Sequence, residues 1–290
     1  MSRLSRSALV TALALVPAAI AAPSARAADA PPVAAPPVAA PAVRPLAVGE
    51  KAPDFTAADL DGKPFALATA RTITAADALA AVNAAARTLG AKADLAADAA
   101  LTTIPDLQGG DGLVPSKVVA LGNAAGRVHG LVADEASVAA WKTVGDVVAW
   151  VEGAAAAPIV FVCWSPKCPT SKLYEERLFA TVARRGARVY ALGSNATDSA
   201  DDLKGYVETK ELPLRVLVDA EQKVTDVFGG KRTPHVFVLD GKNFLRYAGT
   251  IDSDAPMTEA EEKRIAYLDL ALAALGEGRL PEILMTTPVG

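Results

Sequence analysis

The chain has 290 residues, 51% of them hydrophobic and 21% charged, with a formal net charge of -4. A mildly acidic chain without a basic tract excludes the electrostatic footprint of a nucleic-acid binder or of a protein held to anionic lipid. Two cysteines, Cys163 and Cys168, with two histidines, His129 and His235, exclude a disulfide-stapled scaffold and make a poor metal set.

At the N-terminus, Arg3 and Arg6 precede an apolar stretch from Ser7 to Ala22, followed by Ala25, Arg26 and Ala27. A basic start, an apolar run and small residues around a cleavage point are the order of a secretory signal peptide. The run is short for a spanning helix and carries Pro17. No Cys stands at the cleavage point for lipid attachment, and no later segment is long and apolar enough to span a bilayer. Residues 1–27 are therefore read as a signal peptide. The mature chain is expected to be exported, periplasmic or extracellular, with no integral membrane segment. Cleavage before Ala28 removes three arginines and no acids, taking the charge from -4 to -7 (-4 minus 3). The exported compartment permits disulfides, so a thiol kept there is buried, paired or used.

Residues 28–46 form a Pro/Ala-rich linker, extended and semi-rigid. In residues 47–70, Asp61-Gly62 between two short apolar runs predicts a β-hairpin. Residues 71–155 read as a small all-helical insert. A helix over 78–89 stops at Gly90, a Gly/Asp loop covers 105–112, and a second helix runs over 116–126 with Ser116 as a possible cap. A third apolar face runs over 138–151 through Trp141, Val144, Val147 and Val148.

Residues 156–290 then alternate. Strands are predicted at 158–162, 188–192, 215–218, 234–239 and 244–248. Helices are predicted at 171–185, 198–210, 221–228 and 259–275. Alternation of this kind argues an α/β fold, a central sheet with helices on both faces.

Cys168 carries the chemistry. It follows a strand and precedes a helix whose first position suits Pro169, since the missing N–H would be unsatisfied there anyway. A Cys at a helix N-terminus faces free N–H donors and the positive end of the dipole, which favour the thiolate. Lys167 adds a nearby positive charge. The bland alternative is a Cys that merely caps a helix. Cys163 reads first as a buried apolar Cys, and second as a thiol that resolves a sulfenic acid on Cys168, which needs Cα atoms within about 7 Å. His235 reads as packing at a strand start, and the acids between Asp252 and Glu262 fit no calcium loop.

The chain resembles the thioredoxin superfamily, in its redoxin branch of alkyl hydroperoxide reductase/thiol-specific antioxidant (AhpC/TSA)-like proteins. The resemblance rests on Val48–Phe55, on Trp164–Ser171 and on Thr233-Pro234 followed by Val236–Gly241. It covers about residues 46–68 and 157–290. It implies a thioredoxin-like fold, a mixed sheet with helices on both faces, and a redox role for Cys168 without a cofactor. By the same resemblance Ser165 holds a peroxiredoxin Thr position and Ser171 replaces the second Cys of Cys-x-x-Cys. Arg232 would stabilise the thiolate. Trp164, Pro169, Thr233 and a cis Pro234 would face the substrate.

Two departures matter. With Ser171 in place, no dithiol cycle can run inside the motif, and Phe161 stands where peroxiredoxins have Pro. Two functions follow as expectations. One is a single-Cys thiol-disulfide oxidoreductase or thiol peroxidase acting on a protein or small-molecule thiol, disulfide or hydroperoxide, recycled by an external thiol. The other is a non-catalytic module that binds an extended peptide beside Pro234. Within the insert, Leu89–Lys92, Asp111–Leu113 and Trp141–Val151 resemble, weakly, an acyl-carrier-protein module in which Gly112 replaces the Ser that would carry the prosthetic group.

Overall fold

The computed structural model describes residues 44–290 apart from Asp111, Pro256, Glu259, Glu261 and Glu262. The signal peptide and most of the linker lie outside the described residues. No helix among those described is long and apolar enough to cross a membrane.

The chain enters as a hairpin, β1 (Thr56–Asp59) and β2 (Pro64–Ala66). The tight turn between them is made by Asp59, whose carboxylate accepts from the N–H groups of Asp61 and Lys63 at 3.1 and 2.8 Å, and by Gly62 at φ +74°. The stretch before the hairpin pairs as a strand only at a single bridge between Lys51 and Phe244. Its backbone bonds to the turn region ahead of the last strand instead: Ala52 donates to Asn243 at 2.8 Å and Gly49 to Leu245 at 2.7 Å.

The next segment is helical apart from a two-residue ribbon. Helix α1 (Ala75–Thr88) is opened by a Thr74/Asp77 capping box. The ribbon pairs β3 (Gln108–Gly109) with β4 (Gly112–Leu113). Helix α2 (Pro115–Gly126) takes Val114 as its cap with Pro115 in the first turn, so Ser116 is not the cap. The third apolar face is broken into α3 (Glu135–Val138) and α4 (Val144–Gly153). Between them Thr143 bridges Ala100, Leu101 donates to Lys142 at 2.8 Å, and a Thr143/Asp146 capping box restarts the helix. These helices bury their own apolar cluster, centred on Val82, Leu101, Leu121 and Val147. Gly112, expected in a Gly/Asp loop, falls on β4, and Asp111 lies outside the described residues.

The remainder is the sheet. β5 (Ile159–Cys163), α5 (Pro169–Arg184), β6 (Arg188–Gly193), α6 (Ala200–Thr209), β7 (Arg215–Val218) and α7 (Lys223–Phe228) alternate. β8 (His235–Leu239), β9 (Leu245–Gly249) and α8 (Tyr267–Gly276) follow. The seven-stranded order is β2-β1-β7-β6-β5-β8-β9. β5, β6 and β7 are parallel, while β8 runs antiparallel to β5 and β9 antiparallel to β8. This is the thioredoxin-like arrangement expected from the resemblance.

β5 sits at the centre and is buried at every position, as an uninterrupted apolar run requires when both faces are covered. Val160 and Val162 join Tyr174 and Leu178 of α5 on one face. Phe161 and Cys163 join Val224 and Phe228 of α7 on the other. Helix α8 begins at Tyr267, not near 259, because the residues before it pair with the loop after β9. Ile265 donates to the Ser253 hydroxyl at 2.9 Å, and Ser253 donates back to the Ile265 carbonyl at 3.0 Å.

Arg188 ties the helical segment to the sheet. Its buried guanidinium donates to the carbonyls of His129 and Ala70, both at 2.7 Å, and to the Tyr190 hydroxyl at 2.5 Å. A buried cation persists only when its donors are satisfied in this way.

Candidate active site

β5 ends at Cys163 and the chain turns through residues 164–167 before α5 begins. Ser165 builds that turn. Fully buried, its hydroxyl accepts from the Lys167 N–H at 3.1 Å and from the Asn195 side chain at 3.0 Å, and its carbonyl accepts from the Cys168 N–H at 3.2 Å. Ser165 thus positions the residues on either side of it.

Cys168 is the cap of α5 itself. Its Sγ accepts the Ser171 N–H at 3.5 Å, one of the donors a helix start leaves free, and it is partly exposed. Burial is the largest influence on its pKa and pushes it up. The Thr233 side chain, the N–H and hydroxyl of Ser171 and the N–H of Thr170 outweigh burial and leave the thiol below its ordinary value. The Thr233 carbonyl, 3.0 Å from Sγ, works the other way. A carbonyl only accepts, so this contact holds the neutral S–H. Sγ therefore sits between a group that steadies the thiol and several that steady the thiolate.

Ser171, in the second-Cys position, is buried, and its hydroxyl has no hydrogen-bond partner. Pro169 is exposed beside Cys168 in the first turn of α5. The Thr233-Pro234 bond is cis, with Thr233 half-buried and Pro234 buried. The structure thus brings Cys168, Ser171, Pro169 and Thr233 together.

Three expectations are corrected, those for Trp164, Lys167 and Arg232, while Cys163 takes the first of its two readings, a buried apolar Cys. Trp164 is not a substrate contact, because its indole is 1% exposed, packs on Tyr206 and donates to Glu175 at 3.2 Å. Lys167 does not serve the thiolate, since its ammonium donates to the Thr197 carbonyl at 2.5 Å and to Asp202 at 2.7 Å. Arg232 is turned to the carbonyl of Gly290, 2.5 Å away. Cys163 faces the other side of the sheet from α5, among Phe161, Val224 and Phe228. It is 2% exposed, and its pKa is pushed up to about 12, chiefly by burial. A Cβ on Gly230 would come within 2.6 Å of its sulfur, so the glycine is what lets the loop close over it. Both cysteines are free thiols. His235 lies opposite Cys163 on β8, with a buried Nδ1 that has no partner. Burial brings its pKa down to about 4.

Sequence reasoning missed Asn195, which holds Ser165 from thirty residues away, and the C-terminal segment that reaches Thr233. Neither is signalled by a local motif.

Residues 151–248 match the pattern of the AhpC/TSA family. No curated protein sequence matches the chain. Among solved structures, a hypothetical protein of Sinorhizobium meliloti is 18% identical over 85% of this chain and 91% of its own, with a TM-score of 0.48. A peroxidoxin of Mycobacterium tuberculosis is 13% identical over 70% and 84%, with a TM-score of 0.36. A putative thiol:disulfide interchange protein of Chlorobium tepidum is 12% identical over 70% and 84%, with a TM-score of 0.35.

Proposed function

Because residues 151–248 match the AhpC/TSA family, we propose that the chain is an exported thiol oxidoreductase in which Cys168 alone is the nucleophile. The family suggests thiol-dependent redox chemistry in general. The observation that carries the finer reading is the half-exposed Cys168 sulfur at the cap of α5, accepting the Ser171 N–H, with its pKa below the ordinary thiol value. The thiolate is the form that attacks sulfur or peroxide oxygen.

With a hydroperoxide, the Cys168 thiolate attacks the terminal oxygen. The S–O bond forms as the O–O bond breaks. Sulfur loses two electrons to become a sulfenic acid, and the alkoxide takes a proton and leaves as alcohol. An external thiol then condenses with the sulfenic acid, releasing water and leaving a mixed disulfide. A second thiol releases Cys168 and departs as the oxidised disulfide. With a disulfide as substrate, the cycle enters directly at the mixed disulfide. The external thiol is required because Ser171 cannot resolve the intermediate and Cys163 lies buried on the other face.

Export rests on the N-terminal sequence, with residues 1–27 as leader. Fractionation of cells expressing the full chain tests that part, and retention of an unprocessed chain in the cytoplasm would refute it. For the chemistry, peroxide consumption and disulfide exchange are measured with an external thiol for the wild type and Cys168→Ser. Activity lost in the variant supports the reading. Equal activity in the two rejects it and leaves the non-catalytic binding module.

A further inference from the structure

After α8 the chain returns to the sheet and runs along its β9 edge. Leu284 accepts the Ala248 N–H at 3.1 Å, and Thr286 donates its own N–H to the Ala248 carbonyl at 3.1 Å. Met285 thereby bridges Ala248 in parallel sense. The Thr286 hydroxyl accepts the Thr250 N–H at 2.9 Å and meets the Tyr247 hydroxyl at 2.7 Å. The approach is close enough that a Cβ on Gly249 would lie 2.1 Å from the Thr286 hydroxyl oxygen and 2.8 Å from its N. Val289 then packs on the apolar cluster between α5 and the sheet, and the Gly290 carbonyl accepts from Arg232 at 2.5 Å.

Gly290 lies directly on the backbone of Thr233. A Cβ built on it would come within 2.1 Å of the Thr233 carbonyl oxygen and 2.9 Å of its carbon. The same oxygen is 3.0 Å from the Cys168 sulfur. One carbonyl is thus flanked by the reactive sulfur and by the strap.

We propose that residues 284–290 are a specificity strap that leaves Cys168 open to small hydroperoxides and low-molecular-weight thiols and closes it to disulfides presented on a folded protein. The proposal rests on the reading of Cys168 as the nucleophile. A protein disulfide carries flanking chain on both sides, and chain that approaches Sγ past Thr233 would meet Gly290 of the strap. A small hydroperoxide needs only the exposed side of Sγ.

The strap is releasable. Leu284 and Met285 are 44 and 68% exposed. Its hold therefore comes from a few backbone bonds, Thr286 and Val289 rather than from a buried apolar face. A site open only a fraction of the time reacts with bulky partners in proportion to that fraction.

The test compares the wild-type chain with a variant lacking residues 284–290 and with Thr286→Val, which removes the hydroxyl bonds without shortening the chain. Each is checked for folding by circular dichroism and urea melts. Cys168 is then alkylated with iodoacetamide and with a maleimide bearing a long polyethylene glycol. Reduction of insulin disulfides and consumption of cumene hydroperoxide are measured in parallel.

Loss of the strap is expected to raise bulky-maleimide labelling and insulin reduction by about tenfold, with iodoacetamide and peroxide rates within about twofold of wild type. Folded variants that label with the bulky reagent at the wild-type rate would overturn the strap. If the truncated chain misfolds, the same comparison in Thr286→Val decides. If Cys168 labels faster without the strap but neither substrate is turned over, the strap stands and the nucleophile reading fails.

Discussion

The Ser171 hydroxyl is buried without a partner and belongs to the groups that favour the Cys168 thiolate, so Ser171→Ala should make the protein more stable and less reactive at once. A buried polar group left unsatisfied costs about 1–3 kcal/mol. Removing the oxygen with little change of volume should recover about 1 kcal/mol, read as a higher urea midpoint at unchanged slope. In the ionised state the same hydroxyl can turn to the sulfur. A hydrogen bond to a charged group contributes about 1.5–3 kcal/mol. Because Sγ is partly exposed, about 1 kcal/mol is retained after screening, so the thiolate-forming equilibrium should fall about fivefold. The assay is the rate of iodoacetamide alkylation against pH in a Cys163→Ala background, alongside urea melts. Loss of stability with an unchanged alkylation profile would refute the reasoning, because it would mean that the hydroxyl bonds elsewhere and does not serve the sulfur.

Cys163→Ala should leave peroxide consumption within about twofold of wild type, and mass spectrometry of the peroxide-treated wild-type chain should find no intramolecular Cys163–Cys168 bond. Either a lost activity or that disulfide would restore Cys163 as the resolving thiol. His129 and His235 both have pKa values brought down from 6.5 to about 4, chiefly by burial, with Arg188 and Arg215 adding to the effect at His129. The unfolded chain therefore binds these protons first, so stability is full above about pH 6.5 and declines as pH falls toward 4. After screening, the pair should cost on the order of 2–3 kcal/mol. Urea midpoints flat over that range would contradict the burial of the two imidazoles. Leu121→Ala, in the centre of the helical cluster and fully buried, should cost about 3 kcal/mol. Arg188 joins the segment to the sheet, so the loss should appear in a single unfolding transition by far-ultraviolet circular dichroism and by tryptophan fluorescence alike, the tryptophans lying in both cores. A separate early transition of the helices would show the two cores to be uncoupled.

What the sequence made legible was local. The apolar run of β5, the Cys-Pro helix start and the alternation after residue 156 place the sheet, α5 and Cys168 because each follows from neighbours in the chain. The misses share a physical cause, competition from distant partners. The helical period over 138–151 yields where Thr143 pairs with Ala100, and the period ahead of α8 yields where Ile265 pairs with Ser253. Lys167 sits beside Cys168 in sequence, yet its ammonium is drawn to Asp202. Trp164 neighbours the site but is carried into the core, where Glu175 satisfies its indole. The strap was illegible for the same reason. Nothing local in residues 284–290 announces that they meet Ala248 and Thr233.

The account stands most directly on the ionisation of Cys168, followed as its alkylation rate against pH in the Cys163→Ala chain, with peroxide consumption compared in Cys168→Ser. The expected result is an inflection below the free-thiol value of about 8.5, with consumption abolished in Cys168→Ser. An inflection at or above that value, together with a Cys168→Ser chain that consumes peroxide as the wild type does, would contradict it.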